Sequence, residues 1–134
     1  MRAARSAPSV VEVLAVFVGG AAGTALRVVV GLLVRPVDAV PVGTMGINVL
    51  GAFSLGLLLA VLARRGPDSG RRRTARLLLG TGVLGGFTTF SALAVDTAAL
   101  VDGGRMLGAL AYGLGSVLAG VLAAAVGARA GRRG

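Results

Sequence analysis

Four apolar stretches, each about 22 to 25 residues long, dominate the sequence. About 20 helical residues cross the hydrocarbon core of a bilayer, so each stretch is long enough to span it. Arg27 and Asp96 are the only charged residues inside them. The sequence therefore predicts an all-α integral membrane protein, a single domain over residues 1–134, with transmembrane helices at 13–34, 40–63, 77–101 and 106–128.

The composition excludes most of the catalytic chemistry that soluble enzymes use. Hydrophobic residues make up 55% of the chain and charged residues 14%, and there is no cysteine, histidine or tryptophan. Thiol catalysis, disulfides and histidine-based metal sites or general bases are therefore excluded. With no carboxylate cluster or phosphate loop either, we expect no enzyme. The net charge of +9 comes from arginines at the ends of apolar runs, which favours membrane orientation over nucleic-acid binding.

The arginines also predict the orientation. With four spans, both termini and the middle loop share one side of the membrane, and that side holds eleven arginines against two, Arg35 and Arg105, on the other. The positive-inside rule then predicts a multi-pass protein of the cell membrane with both termini in the cytoplasm. The first apolar run is longer than the core of a signal peptide, so we expect it to be retained.

The third stretch has the composition of an interrupted helix. Gly80, Gly82, Gly85 and Gly86 precede Phe87-Thr88-Thr89-Phe90-Ser91, and each glycine weakens a helix by about 1 kcal/mol relative to alanine. One interpretation is a packing face of small residues. The other is a helix break whose carbonyls bind a cation.

Polar side chains recur at helical spacing in the other stretches. Thr44 and Asn48 are four residues apart in the second, and Tyr112 and Ser116 are four apart in the fourth, so each pair shares a helix face. Asn48 is interpretable as a link between helices or as a ligand contact. Arg27 can reach the interface or act inside the membrane, whereas Asp96 lies deep enough to be a functional candidate.

These residues occur in an order that resembles the CrcB/Fluc family of fluoride channels along nearly the whole chain. The matching segments, one set per helix, are Gly19 to Arg27, Gly43 to Phe53, Gly82 to Ser91, and Tyr112 with Ser116. The resemblance implies an antiparallel dimer with two fluoride paths. It also implies a central structural Na⁺ held by the backbone carbonyls of Gly85 and Thr88. The fluoride path it implies consists of Thr44, Asn48, Phe90, Ser91, Tyr112 and Ser116. Arg27 matches the family's first-helix arginine, and Asp96 stands where the family usually has glutamate.

The chain departs from the family pattern in two ways. Ala92 and Leu93 replace the threonine and the second pore phenylalanine, which implies that one half-path is weakened. The arginine bias implies fixed insertion, whereas homodimeric members insert both ways. We therefore expect a heterodimer with a related, oppositely oriented subunit. Two alternatives stay open: a non-conducting structural partner, and a small multidrug transporter, for which Glu12 is the only first-helix carboxylate.

Overall fold

The computed structural model describes residues 7–37 and 40–133, which are almost entirely helical. Arg2 and Arg5, two of the eleven arginines on the predicted cytoplasmic side, lie outside the described residues. The third span runs from Gly70 to Asp102 and has four parts. The elements are α1 (Val10–Leu33), α2 (Val42–Arg64), α3 (Gly70–Ala75), a π-helix (Arg76–Leu84), α4 (Gly85–Phe87), α5 (Phe90–Asp102) and α6 (Met106–Arg133).

The prediction of four membrane-crossing helices with an interrupted third is confirmed. Four helical segments of 23 to 33 residues are apolar enough to span a membrane, and only 11% to 22% of the residues in their most apolar windows are buried. Large apolar side chains such as Leu32 and Leu107 are about four-fifths exposed. Such surface is stable only against lipid or another subunit, so the chain is a multi-pass membrane protein.

The third span starts seven residues earlier than the predicted range and α6 ends five residues later. The added turns contain arginines, and they continue the helices beyond the apolar stretches. Helices can extend into water or headgroups because hydropathy marks only the part inside the hydrocarbon core. The arginine-rich end of the bundle consists of Arg64, Arg65, Arg71, Arg72, Arg73, Arg76, Arg129, Arg132 and Arg133.

The start of α1 is fixed by a capping box. The Ser9 hydroxyl accepts a hydrogen bond from the Glu12 N–H at 3.3 Å, and the Ser9 N–H donates to Glu12 Oε2 at 2.9 Å. Arg73 Nε lies 2.7 Å from Glu12 Oε1 and joins this turn to α3. The carboxylate expected of a multidrug transporter is therefore a cap and an ion-pair partner at the very start of the helix.

Glycines let α1 lie directly against the third span. A Cβ atom added to Gly19 or Gly23 would collide with the backbone carbonyl of Leu78 or Val83, and one on Gly82 would lie 2.9 Å from Gly19 Cα. Such close approach maximises van der Waals contact, which drives helix association in lipid. Gly82 and Gly86 of the third span thus form a packing face, and the backbone up to Leu84 stays hydrogen-bonded as a π-helix.

The second helix pair is formed by α2 and α6, which pack along one another. A Cβ on Gly127 would meet the Phe53 carbonyl, and one on Gly131 would lie 2.7 Å from the Leu57 carbonyl oxygen. Arg64 Nη1 donates to the Gly131 carbonyl at 3.1 Å, so the ends of the two helices are tied together. This pair and the α1–third span pair enclose the break.

Candidate functional site

The backbone of the third span leaves the helical conformation at Thr88 and Thr89. Their φ and ψ angles are −78° and 155°, and −152° and 119°, which are extended values. The first half of the third span ends here, and the Leu84 carbonyl accepts its last hydrogen bonds, from the Thr88 N–H at 3.0 Å and from the Thr88 hydroxyl at 2.9 Å. The second half, α5, starts with Thr89 as its N-cap, since the Thr89 hydroxyl accepts the Ala92 N–H at 3.2 Å.

The side-chain amide of Asn48 on α2 replaces the helical acceptor that the Thr89 N–H loses and gives the Thr89 carbonyl a second donor. Asn48 Oδ1 accepts the Thr89 N–H at 2.8 Å, and Asn48 Nδ2 donates to the Thr89 carbonyl at 2.9 Å. Extended backbone at membrane depth requires such partners because lipid offers none. Asn48 thus links two helices, and it does so at the break itself.

Two carbonyls on the near side of the break lose their usual helical donors. In a continuous α-helix the Gly85 carbonyl would accept the Thr89 N–H, and the Thr88 carbonyl would accept the Ala92 N–H. Those N–H groups donate instead to Asn48 and to the Thr89 hydroxyl. Both carbonyls are therefore released to accept from another group or to coordinate a cation.

The carbonyl between them, that of Gly86, is occupied from the opposite side. Arg27 Nε on α1 donates to it at 3.1 Å, and the Thr24 hydroxyl lies at 3.5 Å. Arg27 therefore turns inward to the broken backbone instead of extending along the lipid to the interface. The positive charge stays within the membrane-spanning part of the bundle, next to the Gly86 carbonyl oxygen.

An open groove of about 450 Å³ runs along the break and brings together several of the predicted site residues. Gly85 and Thr88 line it from the near half of the third span, and Phe90 lines it from the far half. Asn48 contributes from α2 and Ser116 from α6. Three other predicted residues, Ser91, Thr44 and Tyr112, are not among the lining residues.

Within this groove Ser116 has an unusual environment. Its side chain is buried, at 3% exposure, and its hydroxyl has no hydrogen-bond partner among the described residues. A buried hydroxyl without a partner costs free energy and requires an explanation, such as a bound ion or water. Phe90 is the opposite case: it lines the same groove, but it is 79% exposed among the described residues.

Tyr112, Asp96 and Thr44 form a second polar group. Tyr112 is 5% exposed, and its hydroxyl lies 3.2 Å from Asp96 Oδ2 and 3.3 Å from the Pro41 carbonyl oxygen. The Thr44 side chain also interacts with it. The Tyr112 hydroxyl therefore faces the interior of the bundle, and Asp96 is one of its partners. Ser91 belongs to neither group, and its hydroxyl lies 3.1 Å from that of Thr89.

The departure at Leu93 lies in the core of the subunit. Leu93 is 7% exposed and packs with Leu100, Ala109 and Tyr112, while it also lines the groove next to Phe90. An aliphatic side chain therefore occupies the position at which the family pattern would place an aromatic ring.

Sequence reasoning assigned no role to Thr89 or Thr24. Thr89 accounts for the cap of α5 and for both contacts with Asn48, whereas Thr24 approaches the Gly86 carbonyl. A threonine immediately before the first residue of a helical, apolar segment is a known N-cap signal, so the cap at Thr89 could have been found. Nothing in the local sequence identifies Thr24.

Comparison with known proteins agrees with this architecture. Residues 14–128 match the family described as CrcB-like protein, Camphor Resistance (CrcB). The chain is 51% identical over 128 residues to fluoride-specific ion channel FluC 2 of Leifsonia xyli subsp. xyli, covering 90% of this chain and 88% of the relative. It is 50% identical over 110 residues to FluC 1 of Cutibacterium acnes, covering 81% and 77%. It is 45% identical over 120 residues to FluC of Thermus thermophilus, covering 88% and 93%. The match covers all four spans and includes the break, so this chain belongs to the CrcB/Fluc family, a family of channels rather than enzymes.

Proposed function

We propose that this chain is a subunit of a fluoride-selective channel through which cytoplasmic fluoride leaves the cell down its electrochemical gradient. The relatives' names support fluoride as the ion. The observation that carries the proposal within the chain is the buried Ser116 hydroxyl, unpaired among the described residues, in the groove beside the broken third span. A hydroxyl in that position is free to donate to an anion.

The residues around the groove suit a small, strongly hydrated anion. Fluoride gives up its water only if several donors replace it, and serine and tyrosine hydroxyls and an asparagine amide are such donors. The proposed path runs along Phe90, Ser116 and Asn48, with Ser91, Thr44 and Tyr112 continuing it. The ring edge of Phe90 carries partial positive charge and can face an anion without binding it tightly. These contacts are weak enough for fluoride to pass along the path without being held at one site.

The same break supports a structural Na⁺ at the carbonyls of Gly85 and Thr88. Both carbonyls have lost their helical donors to side chains. Gly85 is exposed, and a Cβ added there would meet only the Gly80 carbonyl oxygen, at 3.8 Å. Unwound backbone carbonyls are ligands that Na⁺ uses in membrane proteins. A bound Na⁺ would supply a fixed positive field near the anion path, and a partner related by two-fold symmetry would supply an equivalent pair of carbonyls.

We further propose that the partner is a related subunit inserted the opposite way. Nine arginines of the described residues lie at the arginine-rich end, against Arg35 and Arg105 at the other. This imbalance favours one orientation, with the arginine-rich end in the cytoplasm. An antiparallel dimer then requires a second chain with the reverse bias. Relatives that carry the numbers FluC 1 and FluC 2 are consistent with paired subunits.

A second candidate function is that of a structural subunit whose partner carries the ion. The position of Leu93 favours it, because a buried aliphatic side chain beside Phe90 provides neither a hydroxyl nor a ring edge to the path. Replacing Leu93 with phenylalanine in the coexpressed pair distinguishes the two functions. Increased fluoride flux supports a conducting path along this chain, and unchanged flux supports the structural role.

The direct test is fluoride efflux from liposomes, measured with a fluoride electrode. The chain is reconstituted alone and together with a related chain of reversed arginine bias, and chloride efflux serves as the control. We expect fluoride-selective efflux from the pair, lost when Na⁺ is exchanged for N-methyl-D-glucamine. Absence of efflux from both preparations contradicts the channel. Rapid efflux from the chain alone, with antiparallel homodimers cross-linked through a single introduced cysteine, contradicts the heterodimer; the native chain has no cysteine to interfere.

A further inference from the structure

A second groove lies away from the break, at the arginine-rich end of the bundle. It has a volume of about 430 Å³ and lies between the end of α2 and the beginning of the third span. Leu59, Leu62 and Ala63 form its apolar part, and Arg72 and Arg76, with Gly66 and Asp68, form its polar part. The groove thus combines an apolar surface, which usually contacts lipid, with a charged surface, which usually contacts water.

The two parts lie at different membrane depths. The apolar run of α2 ends at Ala63, and Arg64 and Arg65 follow it. With a rise of 1.5 Å per residue, Leu59 lies roughly 7 Å deeper along the helix than Arg64. The apolar wall therefore faces the acyl region, while the arginines lie at the level of the headgroups.

Arg72 is held in place, but its charge is not neutralised by the protein. Its Nε donates to the Pro67 carbonyl at 3.0 Å, and a Cβ added to Gly66 would lie only 3.3 Å from Nη2. Gly66 has a φ of 118°, a conformation that glycine adopts readily, and it leaves room for the guanidinium. No carboxylate of the described residues lies within 4 Å of Arg72. Its terminal N–H groups are thus preorganised and available.

Arg76 already has a partner in the groove. Its guanidinium contacts both Asp68 oxygens at 2.9 to 3.1 Å, so this pair is close to neutral and Asp68 does not compete for Arg72. The groove consequently carries one uncompensated positive charge above an apolar wall. That combination is complementary to a single anionic amphiphile.

We propose that this groove binds one anionic phospholipid of the adjacent leaflet, with the phosphate on Arg72 and an acyl chain along Leu59 and Leu62. Basic pockets at helix ends bind anionic headgroups, and an arginine near the membrane surface contributes roughly 1 kcal/mol. A free phosphate would use only Arg72, whereas the lipid also covers the apolar wall. The proposal is independent of fluoride conduction.

Native mass spectrometry of the purified chain tests the proposal, with phosphatidylglycerol and phosphatidylcholine of identical acyl chains as probes. We expect wild type to retain one phosphatidylglycerol in preference to phosphatidylcholine. Arg72→Gln should lower the phosphatidylglycerol affinity about fivefold, which corresponds to about 1 kcal/mol. Arg71→Gln is the matched control, since it removes the same charge from the neighbouring exposed residue outside the groove, and it should change the affinity less than twofold.

Two further variants separate a specific site from general attraction and from misfolding. Ala63→Phe fills the groove but keeps every arginine, and it should abolish retention of the lipid. Arg72→Lys keeps the charge and should retain the preference, with helicity and thermal unfolding unchanged. Equal losses with Arg71→Gln and Arg72→Gln overturn the proposal. So does full retention with Ala63→Phe, equal retention of phosphatidylcholine, or displacement by millimolar inorganic phosphate.

Discussion

Replacing Asn48 with valine should destabilise the protein more than any other single polar-to-apolar change in the two central spans. The change removes both hydrogen bonds to Thr89, at 2.8 and 2.9 Å, and leaves the Thr89 N–H without a partner, whereas the Thr89 carbonyl keeps the first hydrogen bond of α5 because Thr89 is the N-cap. An unsatisfied buried group costs about 1–3 kcal/mol. The free-energy cost of losing a hydrogen bond in a membrane protein lies at the lower end of this range, because the polar groups also find partners in the unfolded state. We expect a loss of about 1–3 kcal/mol in unfolding free energy, or roughly 5- to 160-fold in the unfolding equilibrium.

The assay is reversible unfolding in mixed micelles, followed by far-ultraviolet circular dichroism because the chain has no tryptophan. Thr97→Val is the matched control. The Thr97 hydroxyl donates to the Leu93 carbonyl at 2.7 Å within one helix, and its loss leaves that carbonyl its normal helical donor, so the cost should stay below about 1 kcal/mol. If Asn48→Val costs no more than Thr97→Val, the amide does not hold the break, and our reasoning about the site is wrong.

Three other predictions concern packing, the site and the arginine-rich end. Gly23→Ala should cost about 1–3 kcal/mol in unfolding free energy because its Cβ meets backbone of the third span, whereas Gly20→Ala, with open space around it, should be neutral. Ser116→Ala should lower fluoride efflux at least tenfold without lowering the unfolding free energy, since it removes a buried hydroxyl that has no partner among the described residues; a large loss of stability with normal efflux would contradict this. Glu12→Gln keeps the capping box but loses the ion pair with Arg73, so thermal unfolding in detergent should reveal a loss of about 0.5–1 kcal/mol, and an unchanged midpoint would show that the ion pair contributes nothing.

Hydropathy predicted the four spans because a lipid-facing helix must be apolar over a fixed length, and that requirement is local in sequence. Hydropathy gave no signal where the helices extend beyond the membrane. It therefore did not predict the first turns of the third span, which begins at Gly70, or the last turn of α6, which ends at Arg133. The family resemblance supplied the candidate site residues, and the structure brings Asn48, Gly85, Thr88, Phe90 and Ser116 to one groove.

The position of the break could not be derived from glycine content. Glycine weakens a helix in water, but in lipid an unpaired backbone costs more than the glycine penalty. The backbone up to Leu84 therefore stays hydrogen-bonded as a π-helix, and Gly82 and Gly86 pack against α1. The chain opens two residues later, where Asn48 can replace the lost bonds. That replacement depends on a residue 41 positions away, which no local pattern reveals.

Arg27 from α1 and Asn48 from α2 hold the interrupted main chain from opposite sides, at Gly86 and at Thr89. Moving this segment would break the hydrogen bonds of both side chains at once, and the surrounding lipid offers no replacement partners. The segment is consequently built as an immobile frame rather than as a gate. In the proposed channel, discrimination among halides would then depend on fixed spacings, and regulation of flow would act on the mouths of the path instead of at its centre.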